Sequence, residues 1–279
     1  MRFDTSHPDV IAAVRRTLDE DIGAGDITTQ LTVPADRKAS GTYFAREPMT
    51  VAGVELLHLI YGERGPAEAI EILIPSGGKA EPGDAIARVA GQARVLLTCE
   101  RVSLNFMQRL SGVATLAARF AAEVAGTKCR VLDTRKTTPG LRVLEKMAAA
   151  CGGVTNHRMG LYDAILIKNN HISACGGVRA ALKAVAGQPI PAEIEVRTLK
   201  ELDEALECGA TRLLLDNLTP DEARVWIERI GGRATTELSG GITIETARAY
   251  AEAGADFLSA GAITHSAQAV DINFRLTLA

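Results

Sequence analysis

No two cysteines in this 279-residue chain stand at CxxC spacing; the five (Cys99, Cys129, Cys151, Cys175 and Cys208) are scattered and odd in number. That pattern indicates neither a disulfide framework nor a zinc site, and a reducing cytoplasm is the expected compartment. Positive charge is not in excess. The 31 Lys and Arg are outnumbered by 34 Asp and Glu, for a net charge of −3 and a pI near 6.0, which argues against a nucleic-acid-binding face. Long apolar runs are missing too. None could span a bilayer, and the opening MRFDTSHPDV has no apolar signal region, so no membrane partner is expected. What is left is a globular composition, 47% hydrophobic and 23% charged, with length for one large domain or two smaller ones.

The basic residues that are present gather in one stretch. Residues 131–171 hold Arg135, Lys136, Arg142, His157, Arg158, Lys168 and His171 between apolar runs. Val131–Leu132 and Ala164–Ile167 read as short buried strands, and each runs straight into cations, Arg135-Lys136 after the first and Lys168 after the second. In α/β proteins ligands bind at the carboxyl ends of parallel strands. Cations repeated there, in an acidic chain, point to a local pocket for an anionic small molecule.

Along the chain, residues 9–21 place Val10, Ile11, Val14 and Leu18 on one helical face. EDIGAGDITT (20–29) then breaks the helix; its acids could hold a metal, but its Gly and Asp content fits a turn. Residues 40–97 read as short strands separated by Pro and Gly turns, with a helix over 54–61, which together make a small α/β domain. Residues 97–124 are the longest helical pattern, with a kink or break expected at Ser111-Gly112; composition alone makes Arg94, Arg101 and Arg109 solvated or salt-bridged surface. After Gly126, strands are expected at 130–134, 164–168, 193–197, 212–216, 235–239 and 256–260, with capping boxes at Thr198/Glu201 and Thr219/Glu222 opening two of the intervening helices. The alternation implies right-handed βαβ units around a parallel sheet. Six or seven such units are too few for a full eightfold barrel. The expected fold is therefore α/β, with an N-terminal α/β sandwich domain (1–112), a C-terminal partial barrel, open or compact (113–270), and a last segment (271–279) returning toward the N-terminal domain.

The strand ends carry the chemistry. In order they are Arg135-Lys136, Lys168, Glu195, Asp216-Asn217, Ser239-Gly240-Gly241 and Ser259-Ala260-Gly261. The two glycine-rich turns, each followed by a helix start, form a phosphate cradle on the last units, because glycine lets backbone N–H groups approach closely. Glu195 and Asp216 are acids on buried strands and need a cation, either Mg²⁺ or Lys136 or Lys168. Glu193 shares a face with Glu195; we take Glu195 as the inner ligand, although a period of two does not separate them.

Seven phrases in order, EDIGAGDITT (20–29), ERVSLNFMQRLSG (100–112), DTRKTTPGLR (133–142), HRMGLYDAILIKNNHI (157–172), LLLDN (213–217), ELSGGI (237–242) and SAGAITHSA (259–267), resemble the quinolinate phosphoribosyltransferase family over essentially the whole chain. Asn169 stands where the family has an acid, Ala260 where valine is usual, and Arg197 follows Glu195 where the strand end is commonly acidic. The resemblance implies transfer of phosphoribose from phosphoribosyl pyrophosphate to quinolinate, with decarboxylation to nicotinate mononucleotide. It implies that Arg135, His157, Arg158 and Lys168 grip the dianionic pyridine. Lys136 and Lys168 with Mg²⁺ then assist pyrophosphate departure, Glu195 and Asp216 hold the metal or the ribose hydroxyls, and Ser239, Gly240, Gly241, Ser259 and Gly261 hold phosphate. The quaternised ring nitrogen serves as electron sink, so no cofactor such as PLP is needed. The resemblance further implies a homodimer, or a higher oligomer, in which Arg101 reaches the neighbouring subunit's site. Nicotinate phosphoribosyltransferase, acting on a monocarboxylate, should need fewer cations. A non-catalytic sensor on the same fold should lack Lys136, Glu195 or Asp216, and all three are present.

Overall fold

The structure, a computed structural model, describes residues 3–65 and 67–278. The chain divides into two compact units: residues 1–118, 137–153 and 263–279 form the first, and residues 119–136 and 154–262 the second.

The first unit is built on a four-stranded antiparallel sheet in the order Ile272–Leu278, Lys38–Ala45, Ala85–Gln92, Ala69–Ile72. Alternation in Lys38–Ala45 buries every second side chain, as expected of a half-covered strand. The Tyr43 hydroxyl lies in the core, 2.7 Å from both Tyr61 Oη and Ser103 Oγ. The C-terminal strand runs antiparallel to Lys38–Ala45 from Ala45↔Ile272 to Ala39↔Leu278. Gly41 leaves room there for the Phe274 ring, which any β-carbon would overlap. Helix Pro8–Ile22 stops at Gly23 (φ 51°), and Asp26 caps the next helix by accepting the Thr29 N–H at 2.9 Å. EDIGAGDITT is therefore a turn and a cap.

The 31-residue helix Ala93–Glu123 runs through Ser111-Gly112 without the expected break. Neither residue is there to end the helix. The Ser111 hydroxyl accepts the Ala52 N–H at 2.9 Å, and a β-carbon on Gly112 would overlap the Gln268 carbonyl, so a close backbone approach selects the glycine.

The second unit is a six-stranded parallel sheet, in the order Arg130–Leu132, Phe257–Ser259, Thr235–Ser239, Arg212–Asp216, Ala192–Val196, Ile165–Ile167. Strands consecutive in the chain pair from Ile165 to Ser259, and the last closes onto the first through Phe257↔Arg130 to Ser259↔Leu132. Among the described residues the first and second strands, Arg130–Leu132 and Ile165–Ile167, are the outer strands of the sheet and do not pair with each other; Thr155 bridges to Leu132 on the free edge of the first. Both capping boxes form: Thr198 and Glu201, and Thr219 and Glu222, exchange side-chain and backbone hydrogen bonds of 2.8–3.3 Å. Among the described residues no helix is long and apolar enough to cross a membrane.

Candidate active site

The carboxyl ends of the parallel strands surround a cavity of about 410 Å³ within the second unit. Arg135 and Lys136 enter it from the end of Arg130–Leu132, Lys168 from Ile165–Ile167, and Glu195 with Arg197 from Ala192–Val196. Asp216-Asn217, Ser239-Gly240-Gly241 and Ser259 follow from the next three strands, and His157 and Arg158 from the preceding loop. Eleven of the residues singled out from the sequence line this one cavity: Arg135, Lys136, His157, Arg158, Lys168, Glu195, Asp216, Ser239, Gly240, Gly241 and Ser259. Gly261 and Arg101 are not in the lining. Arg101 is an exposed residue of helix Ala93–Glu123 in the first unit. Of the other basic residues in 131–171, Arg142 belongs to the first unit, where its Nε donates to Thr137 Oγ1 at 3.1 Å. His171 Nδ1 accepts the Lys168 N–H at 2.9 Å and caps helix Asn169–Cys175.

The cationic side is held by backbone and buried acid. Fully buried Asp133 accepts the His157 N–H at 2.8 Å and the Asn156 side-chain amide at 2.6 Å, fixing the loop against the strand end. Arg158 Nη1 donates to the Ala164 carbonyl at 3.1 Å. Burial, and next the positive charge of Arg135, lower the Arg158 pKa. Two like charges held together favour an anion between them.

The acids divide into two groups. Glu193 and Glu237 face His157, whose Nε2 lies 3.5 Å from Glu193 Oε2 and 3.4 Å from Glu237 Oε2. Glu195 and Asp216 share a different cation: Arg197 Nη2 lies 2.8 Å from Glu195 Oε1 and 2.9 Å from Asp216 Oδ2. Depth along the strand thus separates Glu193 from Glu195, which alternation alone could not. Among the described residues His157, Glu193 and Glu237 are the one group of three close enough to hold a metal together, but the two carboxylates already face the His157 ring. Glu237 was absent from the sequence-derived set. It lies two residues before Ser239, so the alternation that relates Glu193 to Glu195 puts Glu237 on the inner face as well. Asn217 takes a left-handed conformation (φ 59°), its side-chain amide donates to Asp216 Oδ2 at 2.8 Å, and its N–H donates to the Ser239 carbonyl at 2.8 Å. Gly240 must remain glycine beside it, since a β-carbon would overlap the Asn217 side chain.

Two demands compete on His157. Nδ1 accepts the Arg158 N–H at 2.7 Å, which favours a neutral ring with its proton on Nε2. Burial also opposes a charge, but the two carboxylates outweigh it and raise the ring's pKa from 6.5 to about 9. Burial raises the Glu237 pKa as well, with His157 opposing. Both groups hold protons more tightly folded than unfolded. The His157 contribution to stability is therefore complete below pH 6.5 and lost as pH rises through about 9. The melting temperature should fall across that window, and Glu237→Gln should flatten the slope. A flat wild-type profile would mean that the ring stays neutral.

Residues 113–275 match the family described as quinolinate phosphoribosyl transferase, C-terminal domain, and residues 26–111 match quinolinate phosphoribosyl transferase, N-terminal domain. The nicotinate-nucleotide pyrophosphorylase [carboxylating] of Mycobacterium leprae is 42% identical over 271 residues, covering 94% of this chain and 95% of the relative. Among solved structures, the nicotinate-nucleotide pyrophosphorylase of Francisella tularensis aligns with a TM-score of 0.92 at 35% identity, over 99% of this chain and all of the other. NadC from Streptococcus pyogenes aligns with a TM-score of 0.94 at 34% identity, over 99% of both chains. With both domain families matched in order and the cation-lined cavity at the strand ends, the chain belongs to the quinolinate phosphoribosyltransferase family.

Proposed function

We propose that the strand-end cavity is where quinolinate receives phosphoribose from phosphoribosyl pyrophosphate and loses its C2 carboxylate, giving nicotinate mononucleotide, pyrophosphate and CO₂. The observation that carries this reading is the gathering of Arg135, Lys136, Arg158 and Lys168 in one cavity that also holds Glu195 and Asp216. Arg135, His157, Arg158 and Lys168 bind the pyridine dicarboxylate, the arginines pairing bidentately as lysine does not. Lys136 and Lys168 balance charge on the departing pyrophosphate. Backbone N–H groups of Ser239-Gly240-Gly241 and Ser259-Ala260-Gly261 take phosphate oxygens. Glu195 and Asp216 serve the donor side, at the metal or at the ribose hydroxyls. The buried Glu195 Oε1 accepts no aligned hydrogen bond although Arg197 lies beside it, which leaves a lone pair for a metal, and bound Mg²⁺ would neutralise the pyrophosphate. Once ribosylated, the ring nitrogen accepts the electron pair released with CO₂, so the protein's share is orientation and electrostatics. The reaction takes place in the cytoplasm, a setting compatible with five free thiols.

With quinolinate, phosphoribosyl pyrophosphate and Mg²⁺, CO₂ should form one-to-one with pyrophosphate. Pyrophosphate without CO₂ would reject the decarboxylating assignment.

The working form is a homodimer, or a higher oligomer of dimers, in which Arg101 of one subunit completes the partner's site. Support comes from a side chain that is exposed and outside the cavity lining of its own chain. Arg101→Ala and Lys136→Ala proteins should each be nearly inactive, and mixing them should restore one intact site per heterodimer. Subunit exchange without recovered activity would remove Arg101 from the partner's site.

A further inference from the structure

Two carboxylates on adjacent strands share one guanidinium. Glu195 is buried and Asp216 nearly so, with side chains 7% and 12% exposed, while Arg197 is 45% exposed at the cavity rim. A single nitrogen, Nη2, stands 2.8 Å from Glu195 Oε1 and 2.9 Å from Asp216 Oδ2. The contact compensates charge without completing the bonding of the acid, because Glu195 Oε1 receives no aligned hydrogen bond. The main chain beneath the guanidinium is fixed: the Arg197 N–H donates to Glu201 Oε2 at 2.8 Å, inside the capping box of helix Leu199–Glu207. The head group can therefore move out to water while its backbone stays in place.

Two partly dehydrated carboxylates at one strand end are costly without a cation. Guanidinium is well suited to stand there temporarily, being permanently charged and weakly hydrated. Mg²⁺ demands several oxygen ligands at short range, and Nη2 now sits between the two acids it would use. We propose that Arg197 is a resident counter-cation, which holds Glu195 and Asp216 together in the metal-free protein and must be displaced when a divalent cation binds. This rests on the reading that these two acids serve the metal. It implies that the site stays formed without metal, that metal binds weakly by itself, and that an arriving pyrophosphate group, by giving the guanidinium a new partner, makes metal binding easier.

The test is Mn²⁺ titration of the full-length protein without substrates, followed by the paramagnetic resonance of free Mn²⁺. Arg197→Gln should bind Mn²⁺ about tenfold more tightly than wild type, or better. Its melting temperature in EDTA should fall below that of wild type and recover on adding Mn²⁺. Arg197→Lys, which keeps a positive charge but not the planar fork, should lie between, and it serves if the glutamine variant fails to fold. Pyrophosphate should strengthen Mn²⁺ binding more in wild type than in Arg197→Gln. Unchanged or weaker Mn²⁺ binding by both Arg197 variants overturns the proposal. If instead Glu195→Gln and Asp216→Asn leave Mn²⁺ binding undiminished, the metal assignment itself is wrong, and the two failures are thereby told apart.

Discussion

Arg158→Ala should abolish quinolinate turnover and leave the protein folded. Arg158 is secured by one hydrogen bond to the Ala164 carbonyl, and it bears the repulsion of Arg135. The side chain is poised for an anion and contributes little to holding the loop in place. Two charge-assisted hydrogen bonds to a substrate carboxylate, at about 1.5–3 kcal/mol each, correspond to a loss of roughly 10²–10⁴ in kcat/KM. Relief of like-charge repulsion should meanwhile leave the melting temperature unchanged or raised, the opposite of what a structural role predicts. Arg135→Ala should lose activity to a similar degree. Arg158→Lys should recover only part of it, since an ammonium cannot pair bidentately. Near-normal kcat/KM in both alanine variants would end the carboxylate-clamp assignment.

Glu145→Ala should destabilise the first unit by about 3–5 kcal/mol, the usual consequence of leaving a buried charge without its partner. Glu145 is fully buried in helix Arg142–Cys151. Its Oε1 accepts Arg109 Nε at 3.0 Å, Arg109 Nη2 at 2.7 Å and the Thr138 hydroxyl at 2.7 Å, while Oε2 accepts the Thr138 N–H at 3.0 Å. The same guanidinium donates to the Ala267 carbonyl at 2.5 Å and the Thr264 carbonyl at 2.6 Å. One ion pair thus ties together all three chain segments of the unit. Against a total stability of about 5–15 kcal/mol, its loss should be plain in urea denaturation. The double variant Arg109→Met/Glu145→Met should recover much of the loss, because no charge is then stranded. A change below about 1 kcal/mol in Glu145→Ala would make the pair dispensable.

What could be read beforehand was whatever is written locally. The capping boxes at Thr198 and Thr219 need four consecutive residues, and both formed. Arg135, Lys136 and Lys168 were legible because they follow closely on their strands. Composition left Arg109 as solvated or salt-bridged surface, yet it is the anchor of a buried pair, since its partner lies 36 residues away. Ser111-Gly112 looked like a helix break because the Gln268 carbonyl that requires the glycine is remote in sequence. Glu193 and Glu195 were indistinguishable by a period of two; only the neighbouring strands and the His157 loop give each its own cation. Arg197 was visible as a departure at the strand end, but its link to both acids depends on how two strands lie side by side.

The pairing of Ile272–Leu278 with Lys38–Ala45 sets an order of events during synthesis. Lys38–Ala45 leaves the ribosome early, and one of its edges has no partner until Ile272–Leu278 has been translated. The entire second unit is made in between. For that interval the nascent chain carries an exposed strand edge, open to other chains and to chaperones. A truncation that removes Ile272–Leu278 would leave every strand of the parallel sheet in the chain and the antiparallel sheet unfinished, producing a fragment that keeps the residues of its cation-lined cavity and carries an edge it cannot cover.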